Sequence, residues 1–343
     1  MSEARRRHAA FGGLALLLPV SIAIAIAVGS VSLPLGGVLG SLATHVGVPS
    51  LRVAPLSGAG EAILWSVRLP RVLIAALVGG GLAVVGACLQ SIFRNPMADA
   101  GLLGVSAGAG LGAVVAVHFG WAASVFFALP LAAFAGAMAA VLLVYALAHG
   151  SGRPTLHGLI LTGLAVSALA SAGMSILLVA TEEFRVKTVL FWLAGGLEGR
   201  SWSHLQLAAG FILTGCVLLV LLARPLDVLS LGEVEAASLG LPVHATRLVL
   251  FALASLVAGA ATAVAGSVPF VGLMAPHALR PQVGPLSRHL LPASFLGGAV
   301  LVVFADLAAR TLSDRLDLPL GSLTAFIGAP YFLLALRSQE GRS

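Results

Sequence analysis

Charged side chains are scarce in this chain, so any that lies within an apolar run is a candidate for chemistry. Asp306 is the one carboxylate placed that way. It stands four residues before Arg310, the spacing at which opposite charges meet on one face of a helix. Carriers that couple transport to ions usually set Asp, Glu or His deep within their spans. Here the other acids lie in connections or at span ends, so a proton or cation relay has little to work with. The single lysine, Lys187, follows Val186. A P-loop needs lysine after glycine to reach nucleotide phosphates, so this polypeptide cannot hydrolyse a nucleotide through one. Nine histidines are scattered without metal-ligand spacing to a second His, Cys or carboxylate. Cys88 and Cys216 sit in apolar runs and read as small buried hydrophobes. The sequence therefore gives no catalytic residues, no metal ligands and no cofactor held by this chain.

The elements that must position these groups are membrane helices. Of 343 residues, 59% are hydrophobic and 9% charged, against about 25% charged in a soluble domain. Such a chain cannot cover itself with polar surface. Apolar spans fall near 11–33, 70–93, 101–119, 121–147, 156–181, 203–223, 243–266, 290–312 and 320–336. A further run, 270–280, would reach about 16 Å as a helix, roughly half the hydrocarbon core. Charge settles how to count it. With Arg5, Arg6 and Arg7 inside, counting it as a crossing puts 11 basic residues inside and 8 outside. Leaving it out makes Arg280, Arg288, Arg337 and Arg342 external, brings Arg310 and Arg315 inside and gives 9 and 10. Cytoplasmic loops prefer the positive excess, so ten crossings with both termini cytoplasmic are expected. The run 11–33 is long enough to span and no small-residue cleavage site follows, so it reads as a retained first helix. No connection is long enough for a soluble domain, and residues 1–343 form one transmembrane domain.

Three shorter features stand out. The apolar segment 189–197 is too short to span and is expected to dip into the outer half as a half-helix, tolerable where protein or a cavity buries it. That places Phe191, Trp192, Gly195 and Gly196 on a translocation pathway. The connection 224–242 is too polar for lipid but keeps an apolar face through Leu226, Leu229, Leu231, Val234 and Leu239, with glycines at 232 and 240 breaking it into pieces. It is either a linker or a knob that docks in a groove of a soluble partner. Shifting the chain by 179 residues aligns 68–85 with 247–264 at 7 identities in 18, Arg68 on Arg247 and Gly80 on Gly259 among them. The two segments cross in opposite senses, the pattern of an inverted repeat. The glycines of 104–112 read as close helix packing.

Several motifs in order carry a family likeness. Arg68-Leu-Pro-Arg71, Arg94-Asn-Pro-Met-Ala-Asp99, Gly101-Leu-Leu-Gly-Val-Ser-Ala-Gly108, Phe191-Trp-Leu-Ala-Gly-Gly196, the stretch from Gly266 to His277, and Pro319-Leu-Gly-Ser to Pro330 resemble the permeases of ABC importers for iron–siderophore, haem and vitamin B12. The likeness runs from about residue 60 to the end. It implies an all-α subunit of ten helices in the bacterial cytoplasmic (inner) membrane, working as a homodimer. Two cytosolic ATPase subunits and a periplasmic substrate-binding protein would be its partners, with membrane lipid around it and no nucleic acid. The same resemblance implies that Arg68, Arg71 and Arg310 dock the binding protein's carboxylates. It also implies that Gly232, Glu233, Glu235, Ala236, Ala237, Leu239 and Gly240 couple to the ATPase. The cargo is expected to be an iron–siderophore or haem, with cobalamin as the alternative and an ion-coupled carrier as the rival class; His277 reads as structural rather than as an iron ligand. Two departures accompany the likeness. Gly284-Pro-Leu-Ser-Arg-His289 lacks the family's aspartate, and Pro269 stands where glycine is usual.

Overall fold

With no water in hydrocarbon to pair N–H and C=O groups, a spanning segment has to satisfy its backbone internally. The computed structural model, which describes residues 3–29, 31–45, 47, 56–149, 156–312 and 318–340, does so with helices and no strand among those residues. In chain order they are α1 (Glu3–Ala27), α2 (Leu35–His45), α3 (Gly58–Ala62), α4 (Leu69–Phe93), α5 (Val105–His118), α6 (Trp121–Ser124), α7 (Ala128–His149) and α8 (Leu156–Val179). The second half continues with α9 (Glu183–Leu193), α10 (Trp202–Leu221), α11 (Ala223–Leu231), α12 (Glu233–Ser238), α13 (Val243–Ala265), α14 (Val271–Val283), α15 (Ser287–Thr311) and α16 (Leu320–Glu340). A π-helical turn, Ile63–Arg68, joins α3 to α4, and a 3₁₀ turn, Ala100–Leu103, precedes α5.

Among the described residues seven runs are long and apolar enough to cross a membrane: α1, Gly58–Phe93, α7, α8, α10, α13 and α15. Helices α5 and α16 are apolar but shorter, and α14, with only 13 residues, occupies the short run expected at 270–280. Burial divides them into two layers. The apolar windows of α4, α13 and α15 are 83%, 72% and 61% buried, whereas those of α1, α7, α8 and α10 are 17–33% buried. The first three form the core and the others face outward with apolar side chains, as a lipid-facing shell requires.

Small residues let the core helices approach. A Cβ on Gly79 of α4 would lie 2.2 Å from the Gly298 carbonyl oxygen of α15, and one on Gly108 of α5 would lie 2.4 Å from that of Gly136 on α7. Backbones this close leave no room for a side chain, and close packing is the chief source of helix association in lipid. The packing is also reciprocal between halves: α4 lies on α15 of the second half, and α13, its counterpart in the repeat, lies on α7 of the first. The repeated arginines behave alike, Arg68 and Arg247 both being buried at the start of a core helix.

Several expected boundaries move. The connection 34–67 holds α2, α3 and the π turn, which were not foreseen. The span 101–119 opens with a 3₁₀ turn, and the span 121–147 is divided after α6, so that α7 begins at Ala128. The half-helix expected at 189–197 is α9, which starts earlier, at Glu183, and ends at Leu193. The basic residues Arg52, Arg153, Arg315 and Arg342 of the charge count lie outside the described residues.

Candidate functional site

Two adjoining features make up one end of the bundle. The first is a buried cluster of charge. Arg68, at the end of the π turn, is 4% exposed. Its guanidinium donates to the carbonyls of Ile26, Ala27 (2.9 Å) and Val31. These carbonyls lie at and just beyond the C-terminus of α1, where acceptors lack intrahelical donors and a cation is also favoured by the helix dipole; that of Ala27 also accepts from the Leu33 N–H at 3.1 Å. Arg71, one turn further on, grips Asp306 of α15. Its Nε donates to both carboxylate oxygens at 3.0 and 3.1 Å and its Nη2 lies 2.9 Å from Oδ1. Arg310 stands 3.6 Å from Oδ2 and donates to the Ala25 carbonyl. The i,i+4 pairing of Asp306 with Arg310 is therefore present, but the tighter partner comes from α4. All three guanidiniums are engaged within the chain. Arg68 caps α1, and the Arg71 and Arg310 side chains, 16% and 9% exposed, close on an aspartate that is 1% exposed. The reason is that a carboxylate buried on α15 has no other source of compensating charge.

The second feature is a cavity of about 200 Å³ beside Arg71. Phe191, Trp192, Gly195 and Gly196 all line it, with Thr188, Glu198, Arg200 and Pro319. Thus Arg71 and the four residues assigned to a pathway meet at one place. Arg200 and Pro319 were missed as site residues. Arg200 is held by a 2.6 Å bond from its Nε to the Val264 carbonyl, and its signal in the sequence was only its place just before the Ser201 helix cap.

The wall here is pinned by backbone contacts. Gly195 has φ +77°, the left-handed region that favours glycine, and a Cβ on it would fall 2.1 Å from the Ser267 carbonyl oxygen. Gly196 N–H donates to Ala265 at 2.8 Å, yet its own Cβ would meet nothing within 4 Å. Only one of the two glycines can therefore carry a probe. In a background without Cys88 and Cys216, Gly196→Cys is expected to insert normally and react with a membrane-impermeant maleimide. Gly195→Cys is expected to lower the yield of folded protein several-fold. Equal yield for both, read by size-exclusion chromatography, would show that the pinch is not rigid.

At the opposite end, all seven residues of the expected coupling set fall on or beside α12. Gly232 (φ +137°) breaks α11 from α12 and Gly240 (φ +81°) follows its end. Glu233 pairs with the buried Arg247 of α13, and Ala236 is fully buried. Val234 and Leu239 are 78% and 64% exposed. Beside them a cavity of about 470 Å³ is lined by Arg94, Asn95, His157, Glu233, Val234 and Glu235. His277 packs edge-on against Tyr331 at 6.1 Å. Among the described residues no three His, Cys, Asp or Glu side chains converge as metal ligands.

A helical bundle with a lipid-facing shell, an ion-gripped cavity at one end and an exposed apolar helix at the other is a membrane permease of the transport class. The chain belongs to the FecCD transport family, which it matches over residues 17–338. It is 40% identical over 283 residues to the cobalamin import system permease protein BtuC of Halobacterium salinarum, covering 82% of this chain and 75% of that one. It is 40% identical over 285 residues to the hemin transport system permease protein HmuU of Yersinia pestis, covering 82% and 85%. A solved structure of a metal-chelate type ABC transporter in an inward-facing conformation superposes with a TM-score of 0.83 at 32% identity, covering 95% of this chain and 98% of that one.

Proposed function

We propose that this chain is the permease subunit of an ATP-driven importer that moves a metal chelate, an iron–siderophore or haem in the first instance, across the bacterial cytoplasmic membrane. The observation that carries the reading is the superposition, over almost the whole of both chains, on a metal-chelate type ABC transporter. Two homodimer-related copies would enclose the path, two cytosolic ATPase subunits would bind at α12, and an external binding protein would deliver cargo over Arg71 and Arg310. Arg68 then acts by holding α1 in place rather than by touching the partner. In docking, the binding protein's carboxylates would compete with Asp306 for the Arg71 fork, a planar group suited to bidentate pairing. Both termini would be cytoplasmic.

Relatives named for cobalamin and for hemin are equally similar, at 40% identity, so identity alone does not select the cargo. The test is uptake by proteoliposomes holding this chain, its ATPase partner and its binding protein, with haemin, a ferric siderophore and cobalamin offered in parallel. ATP-dependent uptake of one of the first two, abolished by vanadate, is expected. Uptake that survives vanadate and follows an ion gradient would overturn the reading, and preference for cobalamin would correct the cargo.

A further inference from the structure

Away from the Arg71 cavity and α12, a third cavity, of about 530 Å³, opens between the start of α1 and the end of α14. Its wall is apolar, made by Ala9, Ala10, Gly13 and Leu14 of α1 with Pro281 of α14, and Arg6 and Gln282 stand at its polar margin. The groove is open at Gly13, where a Cβ would meet no atom within 4 Å. The apolar window of α1 is only 17% buried, so the groove faces the surroundings of the bundle.

The polar end carries an excess of positive charge. Arg7 Nη1 lies 3.0 Å from His289 Nε2 of α15. A guanidinium can only donate, so the ring accepts and is neutral, leaving the arginine charge uncompensated. Arg5 and Arg6 precede Arg7 and Arg288 precedes His289. The acids nearby are Glu3, in the first turn of α1, and Asp227, whose Oδ1 already accepts from the Ser287 N–H at 2.8 Å. An apolar groove with a cationic mouth is complementary to an amphiphile with an anionic head.

We propose that this groove binds an anionic phospholipid of the cytosolic leaflet, its phosphodiester held by Arg6 at the groove's margin and attracted by the neighbouring Arg7 charge, and an acyl chain lying along Ala9, Gly13 and Leu14. The assignment to that leaflet rests on the cytoplasmic N-terminus of the proposed topology. Arginine suits the head because its fork matches phosphate oxygens, and basic pockets between membrane helices on the cytoplasmic side are the expected seat of anionic head groups.

Native mass spectrometry of the full chain from detergent tests this, with phosphatidylglycerol, phosphatidylcholine and inorganic phosphate as the probes. Phosphatidylglycerol is expected to be retained at concentrations at least tenfold below phosphatidylcholine. Arg6→Gln with Arg7→Gln should remove that preference. Gly13→Leu should reduce retention of the lipid at least fivefold with every arginine in place, because it fills the groove. Leucine at an open helical position that replaces glycine favours the helix, so this variant keeps its fold, as an unchanged unfolding midpoint would verify. Equal retention of the two lipids, parent-like binding by Gly13→Leu, or displacement of the lipid by inorganic phosphate alone would each overturn the proposal. None of these readouts depends on transport, so their failure leaves the importer reading untouched.

Discussion

Asp306→Asn is expected to destabilise the bundle by about 3–5 kcal/mol, the range for stranding a charge whose buried partner has been removed. The substitution keeps the shape of the side chain and removes only its charge. The three Arg71 contacts of 2.9–3.1 Å would lose their anion and one of their two acceptor oxygens, and Arg310 its ion pair at 3.6 Å. Two guanidiniums that are 16% and 9% exposed would then face each other and Arg68 with no anion between them. An asparagine amide offers one oxygen acceptor and no charge. The measurement is the thermal unfolding midpoint in detergent, together with the fraction of protein that elutes as a single species. The double variant Asp306→Asn with Arg71→Gln should recover part of the loss, since it removes one of the stranded cations. A midpoint unchanged in Asp306→Asn would mean that solvent, and not Asp306, neutralises the cluster.

That cluster shows where reading the sequence stops. The i,i+4 spacing of Asp306 and Arg310 was legible, because helical geometry links residues four apart. The stronger partner, Arg71, is 235 residues away, and only the packing of α4 on α15 brings it near. Arg68 was legible as an outer arginine but not as a cap on α1, since the carbonyls that it satisfies belong to another helix. Uniform apolar runs with polar ends fixed α8, α10 and α13 to within about two residues, the usual uncertainty of a helix end. Elsewhere hydropathy misplaced the ends because caps and glycines set them. The run 189–197 is apolar throughout, yet α9 begins among charged residues at Glu183 and stops before Gly195, whose φ of +77° no helix continues. In the run 121–147 the chain turns after Ser124, and the apolar pattern carries no mark of it. Helix α2 has only 11 residues, three of them glycine, and was read as connection. At the α14 start, where Pro269 replaces the usual glycine, Phe270 takes a left-handed φ of +66°, uncommon for a bulky residue, with Gly328 directly against it.

Val234→Asp is expected to cut ATP-driven uptake at least tenfold while leaving insertion and thermal stability unchanged. Val234 is 78% exposed, and Leu231 and Leu239 are 59% and 64% exposed. These side chains have no cover within the chain, and in the proposed topology they project into the cytosol rather than into lipid. An apolar face left in water at the end of a bundle is the shape that fits a groove on a soluble partner. The element is also mechanically tied to the core. Ala236 is fully buried, and Glu233 is ion-paired with the buried Arg247 at the start of α13, one of the three core helices. A push on α12 therefore reaches α13 through a charged contact. A carboxylate at position 234 would be solvated in the free permease and would cost little there, but buried against the ATPase it would be unpaired. Deleting 235–240 should be more severe and abolish uptake outright, since it also removes Ala236 and the left-handed turn at Gly240 (φ +81°). Proteoliposomes that hold the ATPase partner allow uptake and nucleotide hydrolysis to be read together. Hydrolysis that no longer responds to the binding protein, with uptake lost, is the outcome that coupling through α12 requires. Normal uptake by Val234→Asp and by the deletion would make 224–242 a linker and nothing more.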